Sequence, residues 1–398
     1  MSTQAPVSPL FAPGPENGLT PALMQAMVDE AATLNFYSRQ AGGRDPAIRV
    51  GGDRITGFRI EEELHRFEVV TYAPTGETPL RARNAIGERV ATFKHRWMFA
   101  PDDDWASPGA VPPETVFDPW SSQRFAMLDS ECWFLDSDDG FQGFGAGRTM
   151  PGKSKNGEHV VLVTAVGTIL KGFGRFQGLE EATYVYCGTL SAKDGFRGNV
   201  LLRAIDRETV FATESDLRDI DVQGDLVPDA TYILFRGEAV PTDSVTPSPT
   251  GLVVEQGLRL YNVDFQTGGG RGIRTSERLG PWIGKITANI NFDPSYPGGS
   301  ALNPIPFTNQ DGFLLHDNAG RNVGSFSSES SEGRVFLTRI AGQTAIRFGG
   351  VGAILGGSGL YEGLSGLMTD NSLVVFNPHV SASVYVLRID DPEGRYRV

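Results

Sequence analysis

Short alternations of apolar and polar residues recur along the chain and predict β-strands. These segments are rich in β-branched and aromatic residues, turn residues separate them, and no helical period lies between them. The clearest are HVVLVTAVGTIL (159–170), ATYVYCGTL (182–190), GNVLLRAI (198–205), TAIRFGGVGAIL (344–355), NSLVVF (371–376) and ASVYVLRI (382–389). Such a succession is typical of an antiparallel barrel or sandwich rather than of βαβ units.

Two segments with the same pattern lie 185 residues apart. VGTILKGFGRFQGL (166–179) and VGAILGGSGLYEGL (351–364) share VG-x-IL-x-G-x-G-x-(Phe/Tyr)-x-GL. A self-similar pattern of this kind indicates a repeated structural unit. The glycines inside these strands are expected where backbones approach closely or where a barrel bends sharply.

The register of this repeat extends to both sides of the shared pattern. The matched segments are WFLDSDDG (133–140) with FLLHDNAG (313–320), HRWMFAPDD (95–103) with ANINFDPSY (288–296), FEVV (67–70) with YNVD (261–264), and Arg203 with Arg388. The offset varies between about 180 and 194 residues, as expected when loop lengths differ and the strand order is kept.

We therefore predict an all-β fold of two consecutive antiparallel β-barrels, each with roughly seven or eight strands. The segment PTDSVTPSPTG (241–251) is rich in Pro, Ser and Thr, as linkers between domains are. It divides the chain into an N-terminal extension (1–50), a first barrel (51–240) and a second barrel (252–398).

The N-terminal extension is predicted to contain one short helix over residues 20–38. Thr20 is a candidate N-cap, and Pro21 lies in the first turn, where its missing N–H is tolerated. Apolar residues then recur at helical spacing, at Leu23, Met27, Ala31 and Leu34. Residues 1–18 are expected to be disordered.

Charge and composition exclude several classes of function. The net charge is -13 without a run of Lys or Arg, which argues against a nucleic-acid partner. No apolar stretch reaches the roughly 18 to 20 residues of a membrane span, and the N-terminus lacks the regions of a secretory signal. Cys132 and Cys187 form no disulfide framework and suit a reducing compartment. We expect a soluble cytoplasmic protein, and its preference for Arg over Lys suits a bacterial genome rich in G and C.

Residues 147–154, GRTMPGKS, match the phosphate-binding pattern GxxxxGK(S/T). That chemistry requires a helix after the loop, because the helix N-terminus binds the phosphates. Here Lys-Asn-Gly-Glu and the strand that begins at His159 follow Ser154. The segment is therefore predicted to be a hairpin turn between antiparallel strands.

No cofactor or metal site is assigned from the sequence. The five histidines are scattered without metal-ligand spacing: His65, His95, His159, His316 and His379. A metal site built across strands stays an open alternative.

Three groups of acidic residues attract attention. Glu61-Glu62-Glu63 and Asp102-Asp103-Asp104 are expected to lie on solvated edges and loop tips. Asp129 and Glu131 alternate and share one strand face, which is either the outside or the lumen of a barrel.

Several segments follow an order seen in a known family. GGSGLYEGLSG (356–366) forms a Gly-rich turn, Phe67-Glu68-Val69-Val70 and Tyr261-Asn262-Val263-Asp264 place polar residues after an aromatic one, and Ala288-Asn289-Ile290-Asn291-Phe292-Asp293 follows. In their order along the chain, these segments resemble the allene oxide cyclase family and the related dirigent-type and lipocalin-like barrels. The resemblance covers each predicted barrel but neither the N-terminal helix nor the linker.

The resemblance implies a cofactor-independent isomerase or cyclase, or a lyase, that acts on a small, largely apolar substrate in a barrel lumen. Glu68 or Asp264 would act as acid, base or electrostatic stabiliser. Asn262 and Asn289 would hold a water molecule or a substrate oxygen. The substrate-binding residues would be Arg96, Trp97, Trp133 and Tyr261.

Two alternatives stay open. One is a dirigent-like or lipocalin-like protein that binds a hydrophobic ligand without catalysis. A buried carboxyl group with a perturbed pKa would favour the enzyme, since a carrier has no need of a charge in an apolar lumen. The other is that one barrel is active and the other structural. Because related single barrels associate, a homo-oligomer is also expected.

Overall fold

The computed structural model describes most of the 398-residue chain. The described residues are 20, 22, 25, 31–42, 45–100, 115–135, 137–154, 157–179, 182–205, 212–213, 225–227, 230–240, 245–266, 273–293, 296, 298–340, 343–376 and 379–398. Strands make up 75% of them. The predicted all-β class is therefore confirmed, and the described part holds no helix long and apolar enough to cross a membrane.

Within the described residues, the elements with defined bounds are twenty strands and one short 3₁₀ helix (Gly174–Phe176). The strands in the first half are β1 (Ala31–Gln40), β2 (Ala47–Val50), β3 (Arg54–Tyr72), β4 (Arg81–Ala100), β5 (Gln123–Phe134), β6 (Gly140–Lys153), β7 (His159–Phe173), β8 (Thr183–Ser191), β9 (Gly195–Ile205) and β10 (Ala212–Thr213). Those in the second half are β11 (Asp225–Leu226), β12 (Thr231–Glu238), β13 (Val245–Ser248), β14 (Gly251–Gln266), β15 (Arg274–Phe292), β16 (Ile305–His316), β17 (Asn322–Ile340), β18 (Gln343–Gly359), β19 (Gly366–Phe376) and β20 (His379–Ile389).

Strand pairing forms two rings within one sheet. In the first ring, β3 to β9 pair antiparallel in sequence order, and β1 pairs with both β3 and β9. In the second ring, β14 to β20 pair likewise, and β12 pairs with both β14 and β20. A bridge between Val69 and Val263 joins β3 to β14, and we call this junction the seam. Because the sheet is continuous, its division into two barrels stays a prediction.

The two rings carry irregularities at matching positions. A register shift follows Leu64 in β3, and another follows Leu258, 194 residues later, in β14. The repeated VG-x-IL pattern lies in β7 and in β18. The end of each of these strands leads into a turn with glycines at positive φ, namely Gly174 (59°), Gly178 (86°), Gly359 (62°), which is the last residue of β18, and Gly363 (78°). Both turns need the left-handed backbone that glycine adopts readily.

Residues 31–38 do not form the helix that is predicted over residues 20–38. They belong to strand β1, and all eight are buried. Because β1 pairs with β3 on one side and β9 on the other, its burial on both faces overrides a helical spacing of apolar residues. Residues 21, 23, 24 and 26–30, which include Leu23 and Met27, lie outside the described part, as do residues 1–18.

Strand pairing crosses the predicted domain boundaries, which stay a prediction. Strand β1, from the predicted N-terminal extension, completes the first ring, and β12, from the predicted first barrel, completes the second. Residues 245–248 of the predicted linker form β13, which pairs with β14. The ring strands therefore span 31–205 and 231–389, because closing each ring requires one strand that precedes its meander.

The nucleotide-binding match is part of a hairpin, as predicted. Gly147 to Lys153 belong to β6, which pairs antiparallel with β7. Ser154 N donates to Glu158 O at 2.8 Å and begins the turn. The strand that begins at His159 stands where a phosphate-binding loop would require a helix.

The Gly-rich turn after β7 offers a test of these backbone requirements. Gly178→Ala is expected to lower the free energy of unfolding by about 1 kcal/mol, because alanine disfavours positive φ. Gly174→Ala is expected to cost more, since its Cβ would lie 2.3 Å from Asp139 Oδ1. That oxygen also accepts the backbone N–H of Arg175 at 2.8 Å. Urea denaturation of both variants measures the difference, and equal losses would contradict the assigned contact.

Candidate functional site

A glutamate on the inner face of strand β3 is the starting point of the site. Strand residues alternate between faces, so Glu62 shares its face with Ile60 and Leu64. The Glu62 side chain is fully buried, whereas Glu61 and Glu63 are 53% and 23% exposed. The expectation that all three acids lie on a solvated edge is therefore wrong for Glu62, because its alternation places it among apolar neighbours.

Three side chains from β4 and β8 surround this carboxyl group. The Tyr186 hydroxyl donates a hydrogen bond to Glu62 Oε1, and His95 Nε2 lies 3.9 Å from the same oxygen. The Trp97 ring stacks on His95 at 5.7 Å between centroids. Strands β3 and β8 are not neighbours in the sheet, so these contacts cross the inside of the ring. We call Glu62, His95, Trp97 and Tyr186 the first-ring cluster.

Burial sets the protonation states of this cluster. Desolvation raises the pKa of Glu62 to about 8, although the Tyr186 and Ser38 hydroxyls offset part of the rise. Desolvation also lowers the pKa of His95 to about 3. Near pH 7 the glutamate therefore carries its proton and the histidine is neutral.

Several buried polar atoms of the cluster lack hydrogen-bond partners among the described residues. Glu62 Oε2, both ring nitrogens of His95 and Trp97 Nε1 are buried without a hydrogen bond of normal geometry to the described residues. Buried polar atoms in native proteins are usually paired, and exceptions mark functional sites or bound molecules. A protonated Glu62 offers one O–H donor, while neutral His95 offers one donor and one acceptor.

Aromatic side chains form the surroundings of the cluster. Tyr186 stacks on Phe196 at 4.4 Å between centroids, and Trp97 lies 4.9 Å from Phe125. Further aromatic contacts to the cluster and its neighbours come from Phe58, Phe93, Phe141 and Tyr184. Aromatic surroundings of this kind, with a few polar groups, suit an apolar ligand that has one polar atom.

Of the four predicted substrate-binding residues, only Trp97 belongs to this cluster. Arg96 lies on the outer face, in a cleft of about 830 Å³, and pairs with Asp129 at 2.8 Å. Trp133 is 37% exposed and packs on Phe173. Tyr261 is buried, and its hydroxyl donates to Thr33 Oγ1 at 3.0 Å in strand β1.

The predicted acids Glu68 and Asp264 meet at the seam, where both have arginine partners. Glu68 lies 3.6 Å from Arg83, and Asp264 lies 3.6 Å from Arg66. Burial raises the pKa of Glu68, and repulsion by Asp264 adds to the rise. Burial also raises the pKa of Asp264, against the attraction of Arg66. These acids therefore form part of an ion-pair network between the rings.

The predicted asparagines have separate positions. Asn262 Oδ1 accepts the backbone N–H of Thr71 at 2.8 Å, which ties β14 to β3 at the seam. Asn289 is exposed, and its Nδ2 donates to Gln310 O at 3.4 Å. The structure thus brings Asn262 near the acids of the seam but leaves Asn289 apart from them.

Of the remaining acidic candidates, Asp129 and Glu131 belong to the described residues, and residues 102–104 do not. Asp129 is 72% exposed and has a φ of 51° at a register shift in β5, so it faces solvent. Glu131 accepts a hydrogen bond from Gln142 at 2.9 Å. Residues 102–104 lie outside the described part. Within that part, no group of three or more His, Cys, Asp or Glu side chains is placed to bind one metal ion.

The sequence analysis placed Glu62 on a solvated edge and did not single out His95 or Tyr186 as site residues. The available signal was a charged residue at an apolar phase, with Glu62 following Phe58 and Ile60 at steps of two. His95 stands likewise between the inward Phe93 and Trp97.

Comparison with known proteins gives no relative for this chain. No family model matches it, and no curated protein matches its sequence. No solved structure matches its fold.

Glu62→Gln is expected to change the pH dependence of stability. A carboxyl group whose pKa is raised to about 8 keeps its proton in the folded state, while in the unfolded state it ionises near pH 4.5. Its contribution to stability is therefore lost as pH rises between these values, by at most about 1.4 kcal/mol per pH unit. The variant should gain stability relative to the wild type between pH 5 and pH 8.

Urea denaturation at pH 5, 6.5 and 8 measures this difference. Glu61→Gln makes the same chemical change at an exposed position one residue away and should keep the wild-type slope. Parallel curves for the wild type and Glu62→Gln would contradict the burial of an isolated carboxyl group.

Proposed function

We propose that the protein is a cofactor-independent isomerase or cyclase, or a lyase, that acts on a small, largely apolar substrate inside the first ring. The observation that carries this proposal is the fully buried Glu62, bonded to Tyr186 and without an ion-pair partner among the described residues. Keeping an ionisable group in an apolar interior costs free energy, and such groups concentrate at functional sites.

The proposal includes that each ring is one barrel of a tandem duplication, similar to the allene oxide cyclase family. It is supported by the matched strand order of the rings, by the register shifts after Leu64 and Leu258, and by the paired Gly-rich turns. A closed eight-stranded barrel has an interior wide enough for one small ligand. Cys132 and Cys187 are buried free thiols, which suits the reducing cytoplasm in which we place this activity.

Protonated Glu62 would act as the general acid. Its Oε2–H donates to a carbonyl or epoxide oxygen of the substrate, while the Tyr186 hydroxyl holds Oε1 in place. As the proton is transferred, a C–O bond of the epoxide, or the C=O π bond of the carbonyl group, breaks onto that oxygen. The π electrons of a C=C bond in the same substrate form the new C–C bond, which leaves a cation that can lose a proton from a neighbouring carbon. That proton returns to Glu62, so an isomerisation is balanced without another reactant. Acid catalysis of this kind contributes typically 10²- to 10⁴-fold.

The aromatic side chains around Glu62 would hold the substrate in its reactive conformation. Trp97, Phe125 and Phe196 offer rigid apolar surfaces around the acid. Holding a flexible substrate in one conformer removes entropy before the reaction and lowers its barrier. His95, neutral and with both nitrogens unpaired, is placed to bind a second polar atom.

The second ring lacks this acid at the corresponding position. The register shifts of the two rings are 194 residues apart, and the same offset gives Gln256 as the counterpart of Glu62 in the second ring. Gln256 is fully engaged, since its Nε2 donates to Ser381 and Ser383 and its Oε1 accepts from Tyr385. We therefore place the acid chemistry in the first ring.

A metabolite-extract assay tests the proposal. The wild type, incubated with an organic-soluble extract, should consume one mass feature and form another of equal mass, or two whose masses sum to it. Glu62→Gln should slow this conversion at least 100-fold, because the amide cannot supply an acidic proton. Liquid chromatography with mass spectrometry follows both features.

The control is Glu61→Gln, whose exposed side chain pairs with Lys94 on the outer face and should leave the rate unchanged. Loss of conversion in Glu68→Gln or Asp264→Asn, but not in Glu62→Gln, would move the reaction to the seam. A compound that is retained in native mass spectrometry but never converted would identify a carrier.

A further inference from the structure

The inside of the second ring contains a group of buried polar side chains that includes two carboxyl groups. Asn309 and Asp311 alternate on β16, and Asp370 and Ser372 alternate on β19. Asn309 Nδ2 donates to Asp311 Oδ2 at 2.6 Å, and Ser372 donates to Asp370 Oδ1. All four are at least nine-tenths buried. We call them, together with Ser328, the second-ring cluster.

A glycine leaves space beside this cluster. A Cβ added at Gly350, on β18, would lie 3.7 Å from Asn309 Oδ1 and 3.7 Å from the Cβ of Asp370. Its nearest other neighbour would be Phe307 Cζ at 3.4 Å. An alanine would therefore fit there by ordinary contact, so the room beside Asn309 Oδ1 is at least that of a methyl group.

Two acceptor oxygens of the cluster lack partners, and one of them, Asn309 Oδ1, lies beside Gly350. Asn309 Oδ1 and Asp311 Oδ1 are buried and have no hydrogen-bond partner among the described residues. Asp311 Oδ2 is already occupied, since it also accepts from Ser328 at 3.2 Å. Neither Asp311 nor Asp370 forms an ion pair with a described residue. The missing partner is thus a hydrogen-bond donor with positive charge.

We propose that the second ring binds a small organic cation, a protonated primary amine, with its ammonium group beside Gly350. The ammonium group would donate to Asn309 Oδ1 and Asp311 Oδ1, and the two aspartates would neutralise its charge. Aromatic rings at Phe307, Phe313 and Tyr385 surround this part of the interior and favour an organic cation. This site is separate from the acid chemistry of the first ring.

The protonation of the aspartates gives the proposal a measurable signature. Burial raises the pKa of Asp311 to about 7 and that of Asp370 to about 8, where repulsion by Asp311 adds to the rise. The other titratable groups that act on them are Arg203, which lowers the pKa of Asp370, and Tyr385, which stays protonated because its own pKa is raised. An arriving ammonium ion should displace protons, so its affinity should rise from pH 6 to pH 8.5 by up to about tenfold per pH unit for each proton released.

Calorimetric titration of the full chain with isoamylamine, at pH 6 and pH 8.5, tests this site. Isoamyl alcohol is the uncharged probe of matched shape, and MgCl₂ and CaCl₂ test for a metal site. The amine should bind at least tenfold more tightly than the alcohol, and more tightly at pH 8.5. Asp370→Asn and Gly350→Ala should each weaken amine binding at least tenfold, the first by removing charge and the second by filling the space.

Glu62→Gln should bind the amine like the wild type, which separates this proposal from that for the first ring. Gly350→Ala keeps every polar group, so its circular dichroism and thermal unfolding show whether lost binding reflects the filled space or a lost fold. Equal binding of amine and alcohol, binding of a metal ion but not the amine, no binding, or amine binding unaffected by both variants would each overturn the proposal.

Discussion

Closure of the hydrogen-bond ladder is the constraint on which the rest of the structure depends. An open antiparallel sheet leaves a row of unpaired N–H and C=O groups at each edge. Strands β1 and β12 remove those edges, because each pairs with the first and last strands of a meander. A closed ring also gives each of its strands an inward face, and Glu62, Asp311 and Asp370 are buried there, which explains why burial is the largest cause of their raised pKa values.

The sequence reveals the strands more readily than their closure. Alternation along 159–170 and 344–355 reflects a local property, so it predicts β7 and β18 well. The closing strand depends on pairing with residues far away in sequence. Residues 31–38 are an example, since their apolar spacing suits a helix but their neighbours bury both faces of a strand. Closure of the second ring by β12 likewise left no local signal that separates it from the strands before it.

The location of the acid could be predicted only in part, because alternation gives a period but not a phase. Before the register shift in β3 the buried positions are even-numbered, as at Ile60 and Glu62, and after it they are odd-numbered, as at Phe67 and Val69. The extra residues at this shift lie in β4, and the pairing of β1 with β3 stays regular through Arg66, so β3 keeps its alternation. Phe67 is buried on the opposite face because it packs on Tyr232 of the second ring. Glu68 and Asp264 were expected inside a barrel, and the structure places them at the seam with arginine partners. Trp97 shares its face with Phe93 and His95, because the extra residue at the shift beside Lys94 and Arg96 lies in β5 and leaves the alternation of β4 intact.

The matching register shifts of the two rings have a consequence for how such a fold can diversify. Both rings share the shift before Phe67 and Tyr261, yet their interiors differ, with Glu62 in one and Gln256 in the other. Backbone curvature is thus encoded at a few irregular positions, and the inward side chains are encoded elsewhere. A chain organised in this way can acquire a new interior chemistry by substitution while it keeps its curvature, so one copy can be remodelled while the other retains its role.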